Sequence, residues 1–425
     1  MQFDPSENSY DIVIVGAGMV GATVACGLAD SGLKIALIEN TRPRPFIADE
    51  IPHIRVSALN LASEQILRNL GVWQFLEAMR LCPYRRLAVN EKAQKRGLLG
   101  KLPDISGWAR TEFNSASVGR SHLGHIVEND LVQHAFYERI AQHDALELIC
   151  PANIKSFHKL ELGYQLVLDS GKTLNTKLVV GADGAQSLVR QHSDIGQYQE
   201  QYEQHAYVMM VSYDGDQQDI TWQSFRPEGP LAFLPLARSG DVSYASLVWY
   251  DSVERIKNLK SLDNNDLLDE VKRCYPKALP RLLAMHTRAS FPLYKSHAKT
   301  YVQERVVLVG DAAHTINPLA GQGVNLGFMD AAVLVDVVGR ALLNGEDYAS
   351  SETLAAYEKQ RRGYNQLMMN AMDAFYYGFS NKHLPLYVAR NVGLGLAQSA
   401  GFAKNKVTEF ATGMVGSLPR LAQFH

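Results

Sequence analysis

The sequence predicts an α/β protein: a Rossmann-like nucleotide-binding domain interrupted by a discontinuous second domain on a mostly antiparallel sheet. Three observations predict it. A strand, a glycine-rich turn, a helix and a second strand ending in a carboxylate follow one another between Tyr10 and Glu39. Apolar strands ending in glycine and aspartate recur at Leu178-Val-Val-Gly-Ala-Asp183 and Arg305-Val-Val-Leu-Val-Gly-Asp311. Between these two, from about Tyr202 to Phe291, the pattern changes to short, aromatic-rich strands.

The first element is the run Ile12 to Val15, continuous in apolar residues as a strand buried on both faces must be. It leads into Gly16-Ala-Gly-Met-Val-Gly21, spaced GxGxxG, and then a helix over Ala22 to Ala29. Gly16 permits the tight turn, Gly18 lets a pyrophosphate approach the backbone, and Gly21 lets the helix lie close to the sheet. The helix N-terminus offers free N–H groups and a favourable dipole to phosphates. Glu39, closing the second strand, is placed to accept hydrogen bonds from an unphosphorylated ribose, which points to FAD or NAD.

The Pro-rich stretch Asn40 to Pro45 breaks regular structure, and Ser63 to Trp73 reads as a helix with a glycine near its end. Arg55, in the intervening loop, is either a phosphate or flavin contact or a surface ion pair. Leu131 to Ala141 reads as a helix, Leu146 to Ile149 as a strand, and Tyr164 to Gly181 as a hairpin returning to the nucleotide domain. In the aromatic region Trp222, Phe225, Phe233, Trp249 and Tyr250 are candidate cavity-lining residues, each also compatible with plain core. Leu262 to Cys274 reads as one helix. A carboxylate at a strand's C-terminal end, such as Asp311, lies where open α/β sheets bind ligands, so Asp311 is expected to accept a ribityl hydroxyl. Gly321 and Gly323 let the backbone pass close to an isoalloxazine ring and start the helix bearing Asn325. His314 is either a catalytic base or a hydrogen-bonded structural group.

These signals divide the chain into nucleotide-domain segments at 1–81, 125–195 and 295–375, second-domain segments at 82–124 and 196–294, and a helical tail at 376–425. From Tyr376 onward there are five Lys/Arg and one acidic residue, so the tail either seats the protein on a membrane or partner or packs on its own protomer. A length of 425 residues exceeds one ordinary core, and a net charge of -2 without a basic block argues against nucleic acid. The four cysteines, Cys26, Cys82, Cys150 and Cys274, form no CxxC pair, so no metal centre or redox disulfide is expected. The acidic N-terminus is no secretory signal and no apolar run spans a membrane, so a cytoplasmic location is expected, with peripheral contact on the inner face of the cytoplasmic membrane left open.

Gly16 to Gly21, Gly181-Ala-Asp-Gly-Ala-Gln-Ser-Leu-Val-Arg190 and Gly310-Asp-Ala-Ala-His-Thr-Ile-Asn-Pro318, continuing through Gly321-Gln-Gly-Val-Asn325, occur in this order. Together they resemble the flavin-dependent aromatic hydroxylases, whose fold is that of para-hydroxybenzoate hydroxylase. With Arg55-Val-Ser-Ala-Leu59, Ser121 to Asn129 and Leu231 to Leu236, the sequence resembles the ubiquinone-biosynthesis branch, most nearly the bacterial 2-polyprenylphenol 6-hydroxylases. The resemblance implies FAD held by Glu39, Asp311 and Asn325, with Gly310 and Pro318 in the same block. Asp183 and Arg190 fall in the block associated with FAD and reduced nicotinamide nucleotide. It implies transient reduction by NAD(P)H, a flavin C4a-hydroperoxide formed with O2, and oxygen transfer to a hydrophobic prenylated phenol at the carbon that is C5 in ubiquinone numbering. Another ring position, or a small soluble aromatic, is the alternative. A biosynthetic complex and a homo-oligomer are further implied partners. Many relatives carry Arg near Asn129, where this sequence has Asn.

Overall fold

The computed structural model describes residues 8–91, 110–317, 321, 323–380, 408–409, 412–414 and 416–424. Pro318 and most of the 376–425 tail lie outside the described residues.

The first sheet is built around the strand Ser9–Val15, in which Ile12, Val13 and Ile14 have no exposed surface. It pairs in parallel with Ile35–Ile38 on one side and Thr173–Gly181 on the other, and these pair in parallel with Leu146–Ile149 and Val306–Leu308. Val302–Gln303 extends the edge, and the antiparallel pair Ile154–Leu160 and Gly163–Leu168 hangs from Thr173–Gly181. Sequence-distant strands thus bring three glycine-ended junctions, at Gly16, Gly181 and Gly310, to the same edge of one sheet. The helices Met19–Leu28 and Gly323–Asn344 pack closely, because Gly27 lets Val335 come where a β-carbon would stand.

The second sheet runs in the order His314–Thr315, Leu282–Ala298, Gln197–Tyr213, Val242–Ser252, Leu231–Ser239, Ile220–Phe225, Arg86–Glu91, Arg110–Asn114. Only Ile220–Phe225 and Arg86–Glu91 pair in parallel. A small third sheet joins Val56–Asn60, Gly124–Glu128 and Cys82–Tyr84 between the two larger ones.

Strand parity decides what each face of the second sheet does. Odd-numbered Tyr207, Met209, Val211, Phe233, Leu247 and Trp249 form one core with Trp222, sealed by Ile256, Leu259, Leu267 and Val271 of two helices. Even-numbered Ala206, Ala232, Val248 and Tyr250 face the nucleotide domain, meeting Ile316, Leu326 and the methionines Met368, Met369 and Met372 of the helix Ser351–Phe379.

Several sequence expectations are corrected here. Trp222, Phe233 and Trp249 do not line the inward face; they fill the core beneath the covering helices, with Trp222 stacked on Phe233 at 5.5 Å between ring centroids and also bordering a cavity of about 210 Å³ beside Arg86 and Pro276. Phe225 is buried and stacks on Phe379 at 4.3 Å, while Tyr250 does face inward. The helix expected over Leu262 to Cys274 is present as Asn264–Cys274, capped by Asp263, and a further helix, Val253–Ser261, capped by Ser252, precedes it. The strand Leu282–Ala298 carries little sequence signal, because its 17 residues alternate poorly and include Pro292.

Candidate functional site

The glycine turn after Ser9–Val15 is shaped by close backbone approach. Gly16 has φ +96°, and a β-carbon there would stand 2.4 Å from the carbonyl oxygen of Ala182. Gly21 is constrained by packing alone, since its β-carbon would sit on the Gly16 carbonyl. Gly18 differs from both: a β-carbon would meet nothing within 4 Å, and no side chain caps the helix it begins. The first N–H groups of Met19–Leu28 therefore face open space with no acceptor of their own, which is the condition for binding a phosphate.

Glu39 borders the same space. Its Oε2 accepts from the Ala17 backbone N–H at 2.9 Å and its Oε1 from Asn40 and Thr41 at 2.9 and 3.2 Å. Three backbone donors therefore hold the carboxylate at the strand end, where the ribose of a dinucleotide would meet it.

The third junction carries Asp311, in the short turn Gly310–Ala312. Protein surrounds this carboxyl, and burial pushes it above the ordinary carboxylate range, opposed by the nearby charges of His314 and Arg55. Yet the side chain is solvent-accessible, so it opens into a cleft within the protein body. Arg55 is likewise exposed and close enough to favour the ionised Asp311.

His314 is 1% exposed and lies 2.5 Å through Nε2 from Oδ2 of Asp330. Asp330 also accepts from Gly310 N–H (3.1 Å), Arg361 Nε (2.7 Å) and Asn365 Nδ2 (2.9 Å). The neighbouring His314 and Arg361 hold its carboxyl well below the usual range despite complete burial. His314 thus belongs to a buried ion network that fixes the turn bearing Asp311, which favours the structural of the two roles open to it.

Asn325 has every polar valence used within the protein. Its Oδ1 accepts from Asn60 N–H and Ser63 Oγ at 3.0 and 2.7 Å, and its Nδ2 donates to the carbonyls of Ala58 and Gly321 at 2.8 and 2.9 Å. It ties the start of Gly323–Asn344 to the strand Val56–Asn60, and so shapes the cleft wall. Gly321 passes that strand with φ +61°. Gly323 opens the helix.

Asp183 caps the helix Leu188–His192 through Oδ2, accepting from Leu188 and Val189 at 2.7 and 3.1 Å, while its Oδ1 is buried without a partner. Arg190 is 4% exposed and donates to the carbonyls of Ala312 and Ala185 at 2.9 and 3.0 Å. It therefore locks the second junction to the third. Asn129, at the position where many relatives carry Arg, accepts from Ser57 Oγ at 2.7 Å.

The network around Asp330, with Arg361 and Asn365, was missed in the sequence. Its members lie on two helices whose interior polar residues have no local signature. The residues present fit a bound FAD: an uncapped helix start beside open space, an oriented carboxylate on the ribose side, an accessible carboxyl deep in the protein and the orphaned Asp183 oxygen. The same deep carboxyl supports a pH prediction. A raised folded-state pKa means that Asp311 favours the folded state below its unfolded pKa and disfavours it as pH rises through the folded value. Asp311→Asn is expected to raise the melting temperature of the apoprotein at pH 7, to lose that gain toward pH 4, and to weaken FAD binding. Paired thermal melts at both pH values and a flavin titration check this.

Comparison with known proteins agrees with this reading. Residues 9–372 match the FAD binding domain family FAD_binding_3. The chain is 41% identical over 406 residues to the 3-demethoxyubiquinol 3-hydroxylase of Escherichia coli K12, covering 95% of this chain and 98% of that protein. It is 32% identical to the mitochondrial ubiquinone biosynthesis monooxygenase COQ6 of Xenopus tropicalis, covering 95% and 93%. In fold it resembles p-nitrophenol 4-monooxygenase PnpA of Pseudomonas putida DLL-E4, with a TM-score of 0.77, 16% identity and coverage of 97% and 100%. The chain belongs to the FAD binding domain family FAD_binding_3 and is an FAD-dependent monooxygenase, an aromatic hydroxylase related to those of ubiquinone biosynthesis.

Proposed function

We propose that this enzyme hydroxylates the ring of a prenylated phenol or quinol on the route to ubiquinone, taking electrons from NAD(P)H and oxygen from O2. The observation that carries the substrate class is the inward face of the second sheet. Val208 and Leu234 are only partly buried there, beside Ala206, Ala232, Val248 and Tyr250, and they look toward Ile316 of the Asp311 junction. Leu234 also touches the neighbouring inward cluster of Met210, Leu236 and Tyr244, so the apolar face is continuous along the sheet. Such a face accepts a hydrocarbon tail and excludes water from the reacting ring.

Bound FAD would supply hydride acceptance and oxygen activation, chemistry that no side chain can perform. The chain's own residues bind and orient. The Met19–Leu28 helix start takes the pyrophosphate, Glu39 the ribose and Asp311 the ribityl chain. The start of Gly323–Asn344, held by Asn325, offers its positive dipole end to charge on the reduced ring. Burial pushes the Tyr250 phenol above its ordinary range, so that it stays neutral on the inward face. Activation is left to the electron-donating oxygen of the substrate itself.

The ring carbon that the sequence resemblance implies is C6 of a 2-prenylphenol, which is C5 in ubiquinone numbering. The second reading, the demethoxyquinol position, is supported by the 41% identity to a 3-demethoxyubiquinol 3-hydroxylase. FAD-loaded protein should be given NADH or NADPH in air with a short-chain 2-prenylphenol or a short-chain demethoxyubiquinol, and hydroxylated product and peroxide measured together. Product matching nicotinamide consumed assigns the substrate; peroxide alone with both rejects the proposal. Leu234→Asn should lower kcat/KM for the prenylated substrate about 10-fold, an effect of about 1.4 kcal/mol, with FAD content unchanged.

We propose further that the enzyme works at the inner face of the cytoplasmic membrane. Among the described residues no helix is long and apolar enough to cross a membrane, but Leu367, Phe375 and Tyr377 are exposed on the helix Ser351–Phe379. Flotation with anionic liposomes, lost in Phe375→Asp, supports this; equal flotation of both proteins rejects it.

A further inference from the structure

Away from the flavin cleft, three metal-ligating side chains converge from separate parts of the chain. Glu64 projects from the helix Leu61–Asn69, His125 from the strand Gly124–Glu128, and His122 from the loop before that strand. Oε2 of Glu64 lies 2.7 Å from Nε2 of His122 and 3.1 Å from Nδ1 of His125, and the three donor atoms all lie within 4.8 Å of one another. Two of the three side chains, Glu64 and His125, are buried.

The simplest account of such a trio is a carboxylate accepting from two imidazoles. His122 Nε2 and Glu64 Oε2 are within hydrogen-bonding geometry, but the other imidazole does not fit that account. Nδ1 of His125 is buried and makes no hydrogen bond: the carboxylate oxygen at 3.1 Å stands off the line that a hydrogen bond requires. The remaining polar atoms of the other two residues are already fixed from outside, with His122 Nδ1 2.8 Å from Ser121 Oγ and Glu64 Oε1 accepting from Arg68 Nε at 2.9 Å. Outer partners that hold each ligand by its far atom are what orient a metal-binding shell. Beside the cluster lies a cavity of about 140 Å³, lined by Glu64, His122, Gln65, Arg68, Arg120 and Ser121 among others.

We infer that Glu64, His122 and His125 form a site for a divalent ion of the zinc class, with two imidazoles and one carboxylate as ligands and an open position facing this cavity. Nitrogen and oxygen donors in this number suit Zn²⁺, and the open position is filled by water or a small anion. One ion would satisfy His125 Nδ1 and clasp the strand Gly124–Glu128 to the helix Leu61–Asn69. The first turn of that helix carries Ser63, which holds Asn325 at the flavin cleft. The expectation of no metal centre rested on cysteine spacing. This site uses none of the cysteines, and a span of 58 residues between Glu64 and His122 gives no motif.

The test uses untagged, FAD-loaded protein stripped with a chelator and dialysed against micromolar Zn²⁺ or Co²⁺. Metal content, thermal midpoint, and Co²⁺ d–d absorption on the red side of the flavin band are recorded. The expected result is one equivalent of metal, a raised midpoint and a four-coordinate Co²⁺ spectrum. His122→Ala and Glu64→Gln should each bind metal at least about 100-fold more weakly. His122 is half-buried in a loop, so His122→Ala keeps its FAD and reports on folding independently. No retention by the parent protein, or equal retention by His122→Ala, overturns the inference. Prenylphenol turnover is not needed for either outcome.

Discussion

Asp330→Ala is expected to destabilise the folded protein by about 3–5 kcal/mol, the largest stability loss of any single substitution considered, because it leaves the buried Arg361 guanidinium without its counter-charge. Asp330 has no exposed surface and accepts from four donors: the Gly310 backbone, His314, Arg361 and Asn365. Its depressed carboxyl fixes the sign of the pH dependence. A folded-state pKa below the unfolded value of about 3.9 gives stability that is fully present above that value and lost as pH falls toward the folded one. Denaturant titrations from pH 7 to pH 3 should therefore show the parent converging on Asp330→Ala at acid pH. A parallel pair of curves would mean that Asp330 does not carry the network. Asp330→Asn separates charge from shape: the amide keeps one acceptor but cannot neutralise Arg361, so it should fall between the two. FAD affinity is expected to drop with stability, since Gly310 N–H and His314 hold the turn on which Asp311 sits.

The second large effect separates two glycines that a motif treats alike. Gly16→Ala places a methyl group 2.4 Å from a backbone oxygen at φ +96°. The strain, about 3 kcal/mol or more, falls on the turn itself and corresponds to about 100-fold or more in FAD affinity. The protein should lose both stability and flavin. Gly18→Ala has φ −67°, which any residue adopts, and a methyl that meets nothing within 4 Å. It should fold and melt like the parent while binding FAD at least about 10-fold more weakly, because the methyl occupies the space reserved for a pyrophosphate. Thermal melts of the apoproteins and fluorescence titrations with FAD give both readouts. If Gly18→Ala bound FAD normally, the open space at the helix start would not be the phosphate site.

Much of the nucleotide domain was legible because its signals are local. A glycine-rich turn between a strand and a helix is specified by neighbours in sequence, and so are the carboxylates that close strands at Glu39 and Asp311. The second sheet was legible as strands but not as faces. Phe233 and Trp249 look like pocket residues because they are large and aromatic, yet they are sealed beneath the helices Val253–Ser261 and Asn264–Cys274. Of the inward residues, Ala206, Val208, Ala232, Leu234 and Val248 are aliphatic, and Tyr250 is the aromatic beside them. Their parity could have grouped them, but nothing in a strand's own sequence says which face another domain will cover.

The roles of the polar residues in the glycine-ended blocks divide in the same way. Asn325, Asp183 and Arg190 stand in the blocks where a flavin contact is expected, and the side chains of Asn325 and Arg190 are spent on backbone carbonyls and helix starts that only the fold brings near. His314 pairs with Asp330, sixteen residues away on a buried helix. Glu64 meets His122 and His125 across 58 and 61 residues.

By itself the sequence determined the class of the protein, the dinucleotide and the strand ends that receive it, because phosphate binding at a helix start is the property of a short stretch of backbone. Tertiary structure decided which face of the second sheet turns to the nucleotide domain, which polar residues are spent on bracing one another, and where Glu64 and its histidines converge. Those outcomes depend on charge pairing and burial between residues far apart in the chain, and a buried charge has no meaning until its counter-charge has been brought to it.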